Sequence, residues 1–357
     1  MTFVERARAL APLLSAHTEA HVRERRLAPE VIDALRAGGF LQLLLPQALG
    51  GAAVAPDGYL ATLETLAAAD AATAWVVMTA STSTLLAAYF PRATAEAIWA
   101  PDAPVPLLAG VFTPGGKAVA LDDDTVRLTG RWPYGSGSRH ASWIAVGAIV
   151  DGRHAVCALP IDAPGVRIDD NWDTIGLAGS GSHDLVVEDA VVPRSHVTSV
   201  FEGAPWTDAP PLFGVLALGI AGVGLGIARG ALAQVAAVLT RNDAPASTML
   251  ASYASLTARH RAARAWALEV GGAAAGAPTP ASRGELPLAS AHAARESAAI
   301  VREAFHLGGG ASIRTGSPLA RALGDVEVVL THRMVGERIL PATARALLGV
   351  GAVPPDL

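Results

Sequence analysis

The sequence predicts an α+β fold that is mostly α-helical. We expect an N-terminal helical domain over residues 1–100, a central β-barrel domain over 101–205 and a C-terminal four-helix bundle over 206–357. Apolar residues recur at helical spacing up to about residue 100, and again from Leu212. Between Pro101 and about Val200, Val, Ile and Thr instead alternate with polar residues, with Gly or Pro roughly every 8 to 12 positions. Because the period changes twice, two domain boundaries are predicted.

The composition limits the kinds of partner. A net charge of −5 without a block of basic residues argues against binding to nucleic acid. The low charged fraction, 17%, indicates that part of the surface is covered by self-association. Cys157 is the only cysteine, which excludes an internal disulfide and a cysteine-based metal site, and no metal is predicted. The N-terminal segment is charged and lacks the apolar core of a signal peptide, so we expect a cytoplasmic protein.

The first hundred residues carry the signals of several helices. A helix begins near the N-terminus, and a second begins at Pro29 and ends at the Gly38–Gly39 pair. Further on, Asp70 to Ala88 is a predicted helix of small residues around Trp75, with a run of hydroxyl side chains at 81–84. Such hydroxyls usually lie at a helix surface or cap, so on their own they indicate no site.

Two segments of the central domain combine aromatic, hydroxyl and glycine residues. The first, Gly130 to Trp143, holds two Trp, one Tyr, three Ser and three Gly, although aromatics make up only 5% of the chain. Aromatic faces, hydroxyls and close-approaching backbone suit a flat ligand with a polar edge. The second segment runs from Trp172 to Pro193. A lone histidine in a strand or turn is more often structural than catalytic, so we expect structural roles for His140 and His183.

The C-terminal part begins with a segment long enough to span a bilayer, because Ala209 to Ala228 has no charge over twenty residues. The prolines and glycines within it, and Arg229 directly after it, favour a buried helix of the bundle, so no membrane span is predicted. A loop is expected over Thr240 to Thr248. A Gly/Ala/Pro-rich connector is expected over Gly271 to Pro287, with helix resuming near Ala289.

Three motifs together resemble the acyl-CoA dehydrogenase fold, and within it the two-component flavin monooxygenases. They are Gly130 to Trp143, Trp172 to Pro193, and Gly308-Gly309-Gly310 followed by Ser317-Pro318, Arg321 and Asp325. The resemblance implies an enzyme that hydroxylates a small organic molecule with reduced FMN or FAD and dioxygen. It also implies a separate flavin reductase, since the sequence has no nicotinamide motif. Together with the long uncharged helix and the low charged fraction, it implies a homotetramer or at least a homodimer.

The resemblance also assigns flavin-binding residues. Tyr134 falls where the family has a flavin-stacking Trp, and Trp143 falls where a Trp closes the segment. Ser136, followed by Gly137, falls on the hydroxyl residue that hydrogen-bonds flavin N5. Gly308, Gly309 and Gly310 correspond to a glycine loop that would open a helix and bring backbone amides close to the flavin or its phosphate.

The substrate cavity of the family is lined by the helix that carries Trp75, Ser81 and Thr82 here. Many phenol-hydroxylating members have a histidine near residues 81–83, and this chain has none there. The resemblance therefore argues against a simple phenol as the substrate.

The chemistry implied by the resemblance turns on one position near the C-terminus. An acyl-CoA dehydrogenase needs a carboxylate base, but the usual Glu corresponds here to Arg333, preceded by His332. The alternative position, at the start of the central apolar helix, has no acid. In monooxygenases of this fold, a hydroxyl near flavin N5 and a histidine on the final helix stabilise a C4a-hydroperoxyflavin and shield it from water. Ser136 and His332 match these two, so they are the predicted catalytic residues.

Two other functions stay open on the sequence alone. One is a dehydrogenase or oxidase of the same fold, with a base that the motifs do not locate. The other is a non-catalytic relative that binds flavin or a partner without turnover. A tightly held yellow FAD favours the dehydrogenase, binding of reduced flavin by a colourless protein favours the monooxygenase, and a lack of flavin binding in either redox state favours the third.

Overall fold

The computed structural model describes residues 1–100, 105–201, 205–241, 243–274, 280–314 and 316–352. Its helices and strands fall into three consecutive runs. The first run is helical: α1 (Phe3–Glu24), α2 (Pro29–Ala37), α3 (Pro56–Ala67), α4 (Ala71–Ser83) and α5 (Arg92–Ile98). The second is a run of strands: β1 (Leu108–Ala120), β2 (Thr125–Gly135), β3 (Trp143–Val150), β4 (Arg153–Pro160), β5 (Val166–Asp169), β6 (His183–Pro193) and β7 (Val197–Thr198). The third is helical: α6 (Leu212–Thr240), α7 (Ser247–Ala273), α8 (Pro280–Leu307), α9 (Pro318–Thr331) and α10 (Leu340–Leu348).

This order of elements confirms the predicted fold class. The domain limits themselves stay a prediction, and the expected boundary at Pro101 lies outside the described residues. The predicted loop over Thr240 to Thr248 corresponds to the stretch between the end of α6 and the start of α7.

Local signals explain where the N-terminal helices begin. The Thr2 side chain accepts from the Glu5 amide while the Glu5 carboxylate accepts from the Thr2 amide, so a reciprocal cap starts α1. Pro29 occupies the first turn of α2, where its missing N–H has no partner to lose. The Asp70 carboxylate accepts from the Thr73 amide and caps α4. The Asp70 cap fixes the start of α4, a helix that is buried along nearly its whole length.

The strands form one sheet in the order β5-β6-β2-β1-β3-β4-β7. Neighbouring strands are antiparallel except β1 and β3, which run parallel. Within the described strands, the predicted central β-barrel is therefore a sheet with two edge strands, β5 and β7. A bulge in β1 leaves Phe112 and Thr113 without partners in β3, just before Pro114, which cannot donate a ladder hydrogen bond.

The long uncharged helix α6 lies inside the protein. Among the described residues, two stretches are apolar and long enough to cross a membrane, Leu212–Thr240 and Ala71–Ala88, and 83% and 94% of their most apolar windows are buried. Glycines let α6 approach α3 closely. A Cβ at Gly222 would lie 3.0 Å from the Leu60 carbonyl oxygen, and one at Gly226 would lie 2.5 Å from the Glu64 carbonyl oxygen. The glycines that suggested a bundle helix thus serve helix packing.

Helix α8 packs against α6, α7, α9 and α10. The predicted connector over Gly271 to Pro287 is wrong in extent, because α7 continues to Ala273 and helix resumes at Pro280 rather than near Ala289. Alanine is the strongest helix former, and a proline in the first turn loses no hydrogen bond. An Ala- and Pro-rich stretch that reads as a linker can therefore be largely helical.

Helices from both ends of the chain share one apolar core. A continuous cluster of buried residues extends from Ala7 in α1 to Ala346 in α10. A second cluster fills the sheet around the fully buried Trp132. The end of α4, the bulged part of β1 and the end of α9 meet between these cores, and a cavity lies at this junction.

Candidate active site

A cavity of about 580 Å³ lies between α4, the sheet, the start of α6 and the end of α9. Its volume is in the range of pockets that hold a cofactor or a small organic ligand. Aromatic rings, hydroxyl side chains and two histidines form much of its lining. The rings are Trp75, Phe112, Trp132, Tyr134, Trp172, Phe201 and Phe213, the hydroxyl residues are Thr79, Thr82, Ser83, Thr113, Ser136, Ser182 and Thr331, and the histidines are His154 and His332.

Ser136 lies in a chain of buried hydroxyls. Trp75 Nε1 donates to Ser136 Oγ at 3.0 Å. Ser136 Oγ lies 2.8 Å from Ser182 Oγ, which in turn lies 2.8 Å from Ser180 Oγ. Because a hydroxyl can both donate and accept, Ser136 can direct its hydrogen towards Ser182 or towards a ligand in the cavity. Two of the predicted site residues, Ser136 and Trp75, are thus in direct contact.

His332 also lines the cavity, and its ring lies edge-on to Trp75 with centroids 5.9 Å apart. The prediction placed it on the final helix. The structure places it directly after the end of α9 in extended backbone, with α10 still to follow. From this position after the helix end, the ring meets Trp75 of α4.

The hydrogen bond of His332 fixes the position of its proton. The Met334 amide donates to His332 Nδ1 at 3.3 Å, and an amide can only donate. Burial, with a smaller contribution from the positive charge of Arg333, lowers the pKa of His332 to about 4. The ring is therefore neutral at pH 7, and its hydrogen is on Nε2. His332 can offer one neutral N–H donor to a ligand.

Tyr134 and Trp172 lie where the cavity opens. Tyr134 is 67% exposed, and its ring is 6.2 Å from that of Trp172 in an edge-to-face arrangement. The Tyr134 backbone has φ +72°, which is rare for a bulky residue. It falls in an irregular stretch where β2 and β6 slip between Trp132 and Gly135. The strained backbone turns the ring outwards, where a planar ligand could stack on it.

The cavity-lining hydroxyls of α4 donate their hydrogens to backbone carbonyl oxygens within the helix. Thr79, Thr82 and Ser83 donate to the carbonyl oxygens of Trp75, Met78 and Thr79 at 3.1, 2.8 and 2.8 Å. Towards the cavity these residues can therefore only accept. The predicted pocket residue Thr82 lines the cavity, whereas Ser81 does not: its hydroxyl donates to the Phe40 carbonyl oxygen at 3.0 Å.

Several predicted flavin-binding residues lie outside this cavity. The Trp143 ring lies beside His196, 5.6 Å between centroids, and the Gly137 amide donates to the Ser180 carbonyl oxygen at 2.8 Å. Gly308 caps a single 3₁₀ turn, Gly309–Ala311, so the three glycines open a short turn rather than an α-helix. They follow the end of α8, seven residues before the start of α9, where the Gly308 amide completes a helical hydrogen bond to Ala304. The predicted flavin contacts of these residues remain predictions.

His140 and His183 have structural partners, as expected. His140 Nε2 accepts from the Leu27 amide at 3.2 Å, and burial lowers the pKa of His140 to about 4. His183 Nδ1 accepts from the Trp172 amide at 3.2 Å, and burial lowers its pKa. Neither ring is part of the cavity lining.

The structure also brings in residues that the sequence did not indicate. Trp172 and Ser182 belong to the second aromatic and hydroxyl segment, so that motif could have pointed to them. Phe201, Phe213 and His154 carry no such signal. They stack in a row along one wall, with 4.2 Å between the His154 and Phe201 centroids and 5.3 Å between those of Phe201 and Phe213.

The side chains of this cavity fit a flavin ring. Exposed aromatic rings are available for stacking, and a hydroxyl and a neutral N–H donor lie further in. Within the described part of the chain, no Asp or Glu lines the cavity. Glu327 is instead bound by Arg302 at 2.7 Å, and Glu337 lies 3.4 Å from Arg295. A carboxylate base for thioester chemistry is therefore missing from the described lining.

Comparison with known proteins places this geometry in context. Residues 2–97 match the family model for the acyl-CoA dehydrogenase N-terminal domain, and residues 218–337 match that for the C-terminal domain. The chain is 34% identical over 337 residues to an indole-3-acetate monooxygenase of Pseudomonas putida, covering 88% of this chain and 85% of that protein.

Two further relatives carry information about the cofactor. The chain is 32% identical over 251 residues to the oxygenase component of an FADH2-dependent resorcinol hydroxylase of a Rhizobium species, covering 64% of this chain and 60% of that protein. The fold of this chain matches that of XiaF from a Streptomyces species, which was solved with FADH2 and glycerol. The TM-score is 0.90 at 25% identity, and the match covers 99% of this chain and 97% of XiaF.

Proposed function

This chain belongs to the acyl-CoA dehydrogenase family, in its branch of flavin-dependent monooxygenases, and from that premise we propose that its cavity hydroxylates a small, flat aromatic molecule. It is a flavin-dependent oxidoreductase that uses reduced FMN or FAD and dioxygen, and monooxygenation is favoured over acyl-CoA dehydrogenation.

The observation that carries this proposal is the pairing of Ser136 with a neutral His332 in a cavity whose described lining has no carboxylate. Removal of an α-proton from a thioester requires a base within hydrogen-bond reach. Oxygen activation instead requires hydrogen-bond donors in a site that excludes water. The described lining offers the second set of groups and lacks the first.

Each residue has a role in this proposal. When bound, reduced flavin would supply the electrons that activate dioxygen. Tyr134 and Trp172 would stack against the flavin ring at the cavity opening. The Ser136 hydroxyl, oriented by Trp75 Nε1, would hydrogen-bond the edge of the ring, and His332 Nε2–H would donate beside it. The aromatic residues deeper in the cavity would exclude water and hold the substrate.

We extend the proposal to partners. Relatives named as oxygenase components of two-component systems support a separate flavin reductase as the source of reduced flavin. A homotetramer, or at least a homodimer, is proposed through the C-terminal helices. The exposed Ile313 and Leu348, 75% and 74% accessible, would be covered there. Gly309 and Gly310, exposed next to Ile313, remain the proposed contact for the flavin tail, and a cytoplasmic location is proposed.

For the substrate we propose an aromatic of about the size of indole. The cavity must hold both the flavin ring and the substrate, and its far wall is a row of stacked rings. One relative is named as an indole-3-acetate monooxygenase and another as a resorcinol hydroxylase, so aromatic substrates of one or two rings occur among the similar proteins.

The direct test supplies chemically reduced FMN or FAD to the purified protein, then ¹⁸O₂ and indole, indole-3-acetate or resorcinol. We expect ¹⁸O in an organic product by mass spectrometry, without any acyl-CoA. If the protein instead reduces its flavin anaerobically when given an acyl-CoA, it is a dehydrogenase. If it binds flavin in neither redox state, it is a non-catalytic relative.

A further inference from the structure

The bulge in β1 takes one cavity-lining residue out of the regular ladder with β3. Phe112 lies in the two-residue bulge and has no partner in β3. His154, in β4 on the far side of β3, reaches across and lies with Nε2 2.8 Å from the Phe112 carbonyl oxygen. Both residues line the cavity. The bulge thus fixes the orientation of His154 in the cavity wall.

This contact also sets the tautomer of His154. A carbonyl oxygen can only accept, so Nε2 must carry the hydrogen. In the neutral ring Nδ1 is then the acceptor. No described residue donates to Nδ1, and Nδ1 is not fully buried. A neutral His154 in the cavity lining therefore carries a lone pair on Nδ1, whereas His332 carries an N–H.

Stacked rings hold the His154 side chain in place. Its ring is 4.2 Å from that of Phe201 and inclined by 28°, and Phe201 continues to Phe213 at 5.3 Å and 26°. A planar aromatic ligand can extend such a row or pack against its edge. The Nδ1 lone pair lies in the plane of the imidazole, so a ligand packed at the edge of the row can direct a hydrogen towards it.

The hydroxyls of α4 would not compete strongly for that hydrogen. Thr79, Thr82 and Ser83 can only accept towards the cavity, since their hydrogens are committed to backbone carbonyls. An imidazole nitrogen is more basic than a hydroxyl oxygen, and this makes His154 the stronger acceptor. The three α4 hydroxyls and His154 Nδ1 therefore favour a ligand that carries a donor.

Resting on the proposed function, we propose that His154 Nδ1 accepts a hydrogen bond from the substrate, and that the enzyme selects aromatic molecules with an N–H or O–H on the ring. In this role His154 is a substrate-binding and specificity-determining residue.

The test compares binding of indole and 1-methylindole, which differ in the ring N–H. Calorimetry is done on the full-length protein with reduced FMN or FAD under anaerobic conditions, so no turnover is needed. In the wild type we expect indole to bind roughly tenfold more tightly, the effect of one buried hydrogen bond. In His154→Phe, which keeps the stacking on Phe201, the two ligands should bind equally.

Two matched variants separate recognition from structure. His154→Gln can donate to the Phe112 carbonyl oxygen through its amide N–H while its amide oxygen accepts from the ligand, so it should regain much of the preference for indole. His306→Phe, at the exposed end of α8 and outside the cavity lining, should keep the wild-type ratio of dissociation constants. Thermal unfolding of each variant shows whether it is folded. If the Phe variant does not fold, the Gln variant still decides the test.

The proposal is overturned if wild-type protein binds neither probe or shows no preference, or if His154→Phe keeps the preference. The proposal is also overturned if folded His154→Gln no longer prefers indole to 1-methylindole. These outcomes are read separately from the oxygenase activity, which stands or falls on ¹⁸O incorporation. A protein that incorporates oxygen but ignores the ring N–H would refute only the role of His154.

Discussion

Replacing His332 tests the oxygenase assignment most directly. The structure gives this ring one neutral donor towards the cavity, Nε2–H, while its Nδ1 is held by the Met334 amide. His332→Leu removes the donor and leaves the amide without its partner. The loss of one buried hydrogen bond costs about 1–3 kcal/mol. This corresponds to roughly a fivefold to 150-fold change in the ratio of hydroxylated product to released hydrogen peroxide, since about 1.4 kcal/mol is a factor of ten.

The assay measures both products after reduced flavin, dioxygen and substrate are mixed with the enzyme. We expect His332→Leu to consume reduced flavin but to release most of the oxygen as hydrogen peroxide. Flavin affinity should fall much less, because the stacking rings and Ser136 remain. His332→Asn should recover part of the coupling, since its amide oxygen can accept from Met334 while its NH₂ donates. His306→Leu, on the exposed end of α8, is the matched control and should behave as the wild type.

The pKa of His332 adds a second measurement. Because burial lowers this pKa to about 4, the ring should remain a neutral donor from roughly pH 6 to pH 9, and the coupling ratio should show no inflection from it there. A His332→Leu variant that folds, binds flavin and couples as efficiently as the wild type would refute the reasoning. So would wild-type enzyme that reduces its flavin with an acyl-CoA in the absence of oxygen.

Three further predictions concern the surroundings of this site. Ser136→Ala leaves Trp75 Nε1 without its acceptor, so it should raise the hydrogen peroxide fraction and lower the melting temperature, as peroxide assays and calorimetry would show. Gly110→Ala would place a Cβ 2.4 Å from Ser83 Oγ, so it should narrow the cavity and raise the KM for indole at least severalfold, with smaller effects on flavin binding. Burial raises the pKa of Asp325 to about 7 from 3.8, so the folded protein keeps a proton that the unfolded chain releases, and stability falls as the pH rises through this window. Asp325→Asn should therefore raise the melting temperature more at pH 8 than at pH 5, and an equal effect at both values would contradict this.

The sequence predicted the order of helices and strands because the spacing of apolar residues is a local property. An amphipathic helix and a half-buried strand repeat their apolar residues at 3.6 and 2 positions, whatever they later pack against. Amino-acid composition was a less reliable guide to which segments are linkers. The stretch over Gly271 to Pro287 reads as a linker, yet α7 and α8 extend into it from both sides. Alanine serves helices and flexible segments alike, so packing decided that stretch.

The site could be predicted only where function had left a local pattern. Ser136 lies in a short segment dense in aromatic and hydroxyl residues, and His332 stands where a dehydrogenase would carry a carboxylate. His154 lies in an ordinary strand, and Phe201 follows a strand of only two residues. Their meeting depends on which strands pair and on where β1 bulges, and a strand's own sequence does not specify its neighbours. This part of the cavity therefore required the structure.

One contact between distant segments explains how the two halves of the site stay in register. Gly176 and Gly324 meet backbone to backbone: a Cβ on Gly176 would lie 2.1 Å from the Gly324 carbonyl oxygen, and one on Gly324 would lie 2.2 Å from the Ile175 carbonyl oxygen. Beside them, the Leu177 amide donates to the Asp325 carboxyl at 2.6 Å. These contacts pin the loop before Ser182 against α9, the helix that ends at His332. The hydroxyl chain and the histidine donor lie on different elements, so a shift of either would spoil the geometry of both. The glycine pair makes this register possible, because only residues without a Cβ allow the two backbones to come so close.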